Sequence, residues 1–176
     1  MTRIAAAVGS VAFFFIAPGT VAGLGPWWIG GWRVAAHPPG LVVLQLLGGL
    51  LGAAGLAIVV ESFARFALKG LGTPAPIAPP SRLVVSGLYR HVRNPMYVGV
   101  VAMILGQAAL LADVRLLIYA AFVWAGFHGF VLLYEEPALR RAFPDDYAAF
   151  TAVVPRWIPR WRAAASTPGP ANGGAA

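Results

Sequence analysis

Gly87-Leu88-Tyr89-Arg90-His91-Val92-Arg93-Asn94-Pro95-Met96-Tyr97-Val98-Gly99 is the stretch on which the reading of this chain turns. It carries a basic, polar loop directly into an apolar run. Asn94 precedes a proline and so avoids helical geometry, its side chain is placed to cap a helix over the apolar run, and Pro95 suits the first position of that helix. A helix beginning here presents free N–H groups and a partial positive charge at its tip. Arg90 and Arg93 stand beside that tip, and together they make a place for a carboxylate or phosphate. The plain alternative is that both arginines anchor the helix to lipid headgroups. Tyr89 and Tyr97 are phenolic donors flanking the same point, or residues of an interfacial aromatic belt.

The surrounding composition makes this a membrane protein. Of 176 residues, 59% are hydrophobic and 11% charged, with a mean hydropathy of +0.74, against about 45–50% apolar and about 25% charged in an ordinary soluble domain. Cysteine is absent, which excludes disulfides, thiolate metal sites and a cysteine nucleophile. His37, His91 and His128 are too scattered to form a zinc site, and no metal is expected. The net charge of +7 sits at the ends of apolar runs, where it sets topology and meets headgroups. Nucleic-acid binding is not expected.

Working outward, the pattern predicts an all-α integral membrane protein with four spans, at about 4–24, 41–60, 95–112 and 116–133. Residues 1–162 form one membrane-embedded domain. Arg3 and the run from Ile4 to Ile16 also fit the start of a signal peptide, but Pro18-Gly19 and the apolar continuation to Trp28 favour a retained, kinked helix. Trp27, Trp28 and Trp32 fit an interfacial belt. In the second span Gly48, Gly52 and Gly55 form a small-residue face for close helix packing, and Glu61 closes the span. Gln45 and Gln107 are interhelical hydrogen-bond candidates. Four prolines between Gly72 and Pro80 predict an extended strap. Asp113-Val114-Arg115 is a tight turn joining the last two spans into a hairpin.

Beyond the fourth span, Leu139, Phe143, Tyr147, Phe150 and Val154 recur at helical spacing. They predict short amphipathic helices over about 137–154, broken at Pro144 and lying on the membrane. Arg156, Trp157, Arg160, Trp161 and Arg162 then anchor the end at headgroups, and residues 163–176 form a disordered tail. With four spans, one side of the membrane receives Arg3, Arg65, Lys69, Arg82, Arg90, Arg93, Arg140, Arg141, Arg156, Arg160 and Arg162, while the other receives Arg33 and Arg115. Positive-inside topology puts both termini and both polar clusters in the cytoplasm, and the expected location is the inner membrane of the cell.

The second cluster is Tyr134-Glu135-Glu136-Pro137. Two carboxylates at the end of an apolar helix sit badly with its dipole. Either they cap a new helix starting at Pro137 and pair with Arg140 and Arg141, or they act: by accepting ribose hydroxyls, or by stabilising a cation near a reacting centre. His128 lies two turns before Glu135 and is an ionisable group within a span; its alternative is a neutral histidine bonded to a neighbouring helix.

Gly87-x-Tyr89-Arg90-x-x-Arg93-Asn94-Pro95-x-Tyr97-x-Gly99, then Glu135-Glu136-x-x-Leu139-x-x-x-Phe143-x-x-x-Tyr147-x-x-Phe150, then Val154-Pro155-Arg156, resembles the isoprenylcysteine carboxyl methyltransferase and phospholipid methyltransferase superfamily. The likeness covers about residues 73–159. It implies an enzyme using S-adenosylmethionine in a cytoplasm-facing pocket, with a lipid-like or small apolar substrate entering from the bilayer. Tyr89, Arg90, Arg93, Asn94, Tyr97, Glu135 and Glu136 are the cofactor-site candidates; Glu135, Glu136 and His128 are the candidates for removing a proton from an amine or thiol acceptor. Where the family often has histidine this chain has Asn94, which cannot titrate near neutrality and is no general base. Pro144 replaces a usual glycine. Val131 stands where the eukaryotic prenylcysteine enzymes have arginine, which points away from a prenylcysteine carboxylate. Phospholipid N-methylation and small-thiol S-methylation are alternatives of the same chemistry; a non-catalytic membrane subunit and an NADPH-dependent membrane reductase are alternatives of another kind.

Overall fold

A computed structural model describes residues 3–33, 39–69, 83 and 85–162. Among them every regular element is helical. The strap expected at 72–80, the tail at 163–176 and His37 lie outside the described residues.

The first apolar run is α1 (Arg3–Gly19), a wide π turn (Thr20–Leu24) and α2 (Gly25–Gly30), without interruption. The turn lies between Pro18 and Pro26. Proline has no N–H to give to a carbonyl behind it and its ring crowds the preceding turn. With Pro26 unable to donate, the carbonyls of Val21 and Ala22 take donors from elsewhere: the Tyr119 hydroxyl donates to Val21 O at 2.9 Å and Gln107 Nε2 to Ala22 O at 2.8 Å. In hydrocarbon an unmet carbonyl costs several kcal/mol, so these two bonds tie the first span to the third and fourth. Gln107 also accepts from the Trp32 indole at 3.0 Å.

The second span is α3 (Val42–Lys69). It does not end at Glu61, where the sequence pattern predicts a stop, but continues for roughly two more turns. Glu61 pairs with Arg65 one turn later, and Ala64, Ala67 and Leu68 sustain helix propensity. α4 (Pro95–Leu111) packs antiparallel along α3. Gly48, Gly52 and Gly55 form the expected seam, and α4 answers with two glycines that the spacing argument does not assign to it. A Cβ on Gly106 would lie 2.4 Å from the Gly52 nitrogen, and one on Gly99 2.8 Å from the Gly55 carbonyl oxygen. The backbones touch, which is how helices associate where lipid is as apolar as leucine.

α4 turns into α5 (Val114–Phe130) through Ala112, whose φ is +50°, and Asp113, which accepts from Arg115 N at 3.0 Å. The fourth span does not stop at Leu133. A second π turn (Val131–Glu135) leads into α6 (Glu136–Ala142), and again a proline, Pro137, stands two residues after the wide turn. α6 is thus an extension of the fourth span rather than a separate helix. α7 (Pro144–Val153) starts after the break at Phe143. The apolar stripe of this region is turned into the protein: Tyr147, Phe150 and Val154 are buried against Leu139, Phe143, Leu83 and Val85.

Between α1 and α5 the main core holds Ala22, Val59, Phe63, Val100, Ile104 and Ala120, with Phe14 edge-on to Phe63. Large apolar side chains such as Val43, Leu46, Leu50 and Phe122 point outward. Among the described residues, three helical stretches, Ala12–Gly30, Val42–Arg65 and Val114–Ala142, are long and apolar enough to cross a bilayer. The 17 residues of α4 reach about 25 Å, short of a ~30 Å hydrocarbon layer, and they are sheathed by α3 and α5.

Candidate functional site

The two glutamates are adjacent, and consecutive helical side chains point about 100° apart. Glu136 is the one buried charged side chain among the described residues. The Arg156 guanidinium grips it in a fork, Nε to Oε1 at 2.6 Å and Nη2 to Oε2 at 3.1 Å. Arg93 Nη1 adds a bond to Oε1 at 3.0 Å, and the exposed Arg140 lies 3.9 Å from Oε2. Bidentate arginine–carboxylate pairs are among the stronger hydrogen bonds a protein makes. The Glu136 carboxylate holds the Arg156 pKa above its usual range. Burial raises that of the neighbouring Tyr147 phenol, with Glu136 adding to the shift.

Arg156 reaches inward because the segment after α7 returns to the loop before α4. Arg93 N donates to Pro155 O at 2.9 Å, and Arg160 N to His91 O at 2.9 Å. Asn94 belongs to this clasp. It occupies the N-cap position, but its side chain does not cap α4; Asn94 Nδ2 donates to Arg156 O at 3.2 Å. The headgroup-anchor reading of the chain end is thus corrected for Arg156 and Trp157, which turn into the protein, while Trp161 stays exposed.

Glu135 has different company. Its Oε2 accepts from the Tyr97 hydroxyl at 2.9 Å, and no arginine pairs with it in the described structure. The Tyr97 ring packs on Phe127, 4.7 Å between centroids. Tyr89 is buried beside Ser62, and burial pushes its phenol up, with the Glu135 charge adding to the shift. The Glu61–Arg65 pair closes this side. Gly87, at φ +58°, leaves room for the Arg65 guanidinium, since a Cβ there would fall 2.0 Å from Arg65 Cζ. Arg90 sits half-buried on the short turn Gly87–Arg90.

His128 joins a different group. Its Nδ1 accepts from the Trp157 indole at 2.9 Å, and its ring stacks on Trp124 with centroids 5.1 Å apart. An indole nitrogen only donates, so the Nδ1 lone pair of His128 is taken up by Trp157. The π turn also takes Glu135 round the helix, so seven residues no longer bring it back to the face of His128.

Between α1, α4 and α5 lies a cavity of about 470 Å³ whose lining carries no charged side chain. Tyr97 belongs to both regions: its ring lines the cavity and its hydroxyl holds Glu135. Two buried polar atoms in this neighbourhood lack a partner among the described residues, Arg93 Nε and Glu61 Oε2. Of the candidates named from the sequence, Arg93, Asn94, Tyr97 and both glutamates lie together in the structure. Trp157 is not among those candidates, and Arg156 had a signal in the Val154-Pro155-Arg156 motif.

These features define a class: a helical membrane protein with a charged and phenolic cluster at one end of its bundle, opening onto an apolar interhelical cavity. A sequence profile described as phospholipid methyltransferase matches residues 43–146, and the chain belongs to that family. A curated relative, the protein-S-isoprenylcysteine O-methyltransferase of Schizosaccharomyces pombe strain 972, is 36% identical over 78 residues, 44% of this chain. The match spans 33% of that relative's length.

Proposed function

We propose that this protein is an S-adenosylmethionine-dependent methyltransferase of the membrane, acting on an apolar or amphipathic acceptor. The observation that carries the reading is the double role of Tyr97, whose ring walls the apolar cavity while its hydroxyl bonds the Glu135 carboxylate. Family membership and the named activity of the yeast relative support the chemistry. An acceptor held in the cavity lies next to the polar cluster, and no charged group in the lining calls for a charged chain.

The residues present fit the donor. Arg93 Nε is a buried donor without a partner among the described residues, suited to a carboxylate. Among the described residues Glu135 is a carboxylate bonded by the Tyr97 phenol and by no arginine, suited to a cation or a ribose hydroxyl. When bound, S-adenosylmethionine supplies an electrophilic methyl group on a positively charged sulfur. The chain's own part is positioning, charge placement and exclusion of water. Glu136, locked by Arg93 and Arg156, holds the clasp shut; Glu135 places negative charge; Phe127 and Tyr97 keep the junction dry. If the acceptor must lose a proton, Glu135 is the base in reach, because the Nδ1 lone pair of His128 is occupied by Trp157. Arg90 and Tyr89 complete the cofactor side.

On the positive-inside rule we take both termini and the polar cluster to face the cytoplasm across the inner membrane, where a soluble donor is available. Titration of the purified protein in lipid nanodiscs with S-adenosylmethionine, S-adenosylhomocysteine and NADPH tests the reading. Binding of the first two is expected. Binding of NADPH alone marks a reductase, and binding of none marks a structural subunit.

A further inference from the structure

We propose that Tyr119 is a specificity-determining residue: it closes the far end of the apolar cavity and sets the length of acceptor chain the site takes. This rests on the cavity being the acceptor's, as proposed above. The lining runs along α5 from Phe130 to Tyr119 and, on the first span, from Phe13 in α1 to Val21 in the π turn, about 16 Å and 12 Å of helix. Tyr97 stands at one end, beside Glu135. At the other, the Tyr119 hydroxyl donates to Val21 O at 2.9 Å and joins the two walls.

The closure has no slack. Val21 O needs a donor because Pro26, five residues on, has no N–H, so the Tyr119 phenol is held where it is. Behind it stands Gly25, where a Cβ would fall 2.4 Å from the phenol oxygen. Beside it, Ala120 is buried in the core with Ala22 and Ile104.

The apolar side walls discriminate little, because a chain in the bilayer is already in surroundings as apolar. A closed end does discriminate. Protein interiors are packed to crystal density, and methylenes forced past a fixed wall are rejected by about tenfold or more. Shorter chains fit without that cost.

The test uses the full chain in lipid nanodiscs and n-alkyl alcohols of rising length, competing with an alkyl alcohol that bears a diazirine on its terminal carbon. In the wild-type protein, competition is expected to collapse by about tenfold beyond one length, and the diazirine to label the peptides carrying Val21 or Tyr119. Tyr119→Ala is expected to move the limit to longer chains, and Tyr119→Phe, which keeps the ring but loses the bond to Val21 O, to move it less. An unchanged limit in Tyr119→Ala overturns the proposal, as does terminal labelling away from Val21 and Tyr119; the labelling needs no variant to fold. S-adenosylmethionine binding is measured on the same samples. A limit that moves without donor binding removes the methyl-transfer reading and keeps the role of Tyr119; donor binding with an unmoved limit removes the role of Tyr119 alone.

Discussion

Glu136 sits in a ring of arginines, and removing its carboxylate strands Arg93 and Arg156 with uncompensated charge in a buried place. Losing one partner of such a set costs about 3–5 kcal/mol. Glu136→Ala is therefore expected to lower the unfolding midpoint sharply, measured by thermal or detergent unfolding in nanodiscs. Glu135→Gln keeps an acceptor for the Tyr97 hydroxyl and is expected to stay within about 1 kcal/mol of wild type in the same assay. Tyr97→Phe deletes the donor to Glu135 and is expected to weaken S-adenosylmethionine binding by about tenfold while the protein still inserts. Two neighbouring glutamates with opposite phenotypes, one in stability and one in binding, are what the geometry demands. The residue types and their rough location are legible in the chain. The division of labour is not, because Arg156 is twenty positions from Glu136 and an arginine beside a tryptophan near an apolar run reads equally well as a headgroup anchor.

At the scale of elements, the α3–α4 seam carries the bundle. Gly106→Val would drive a branched side chain into the Gly52 backbone. Overpacking a core costs about 1–3 kcal/mol, and backbone on the far side cannot yield, so the expected loss is at the upper end. Gly126 differs: it lines the cavity, and a Cβ there meets nothing within 4 Å. Gly126→Leu is expected to fold and bind the donor normally but to lose most methyl transfer to apolar acceptors, read by labelled-methyl incorporation. Glycine spacing announces half of this seam, on α3. The ends of helices are less legible: Glu61 reads as a stop, yet its i+4 partner Arg65 makes it part of a continuing helix. The π turns are invisible to a search for 3.6-residue periodicity, although Pro26 and Pro137 mark where each one ends.

For the whole molecule, hydropathy alone yields the bundle, since lipid-facing helices advertise themselves. What it cannot give is the fold of the chain end back onto the loop before α4, which depends on backbone bonds between residues some sixty apart. The proposed topology has a direct check, because the chain has no cysteine of its own. Arg33→Cys is expected to react with a membrane-impermeant maleimide added outside intact cells, and Asp146→Cys to react only after permeabilisation; the reverse pattern inverts the orientation. The central claim is that Glu135, held by Tyr97 and unpaired with arginine among the described residues, faces the positive sulfur of the donor. The measurement that tests it most directly is the affinity of wild type and Glu135→Gln for S-adenosylmethionine and for its neutral product S-adenosylhomocysteine. The account predicts that Glu135→Gln loses about tenfold for the charged donor and much less for the product. Equal losses for both, or none for either, contradict it.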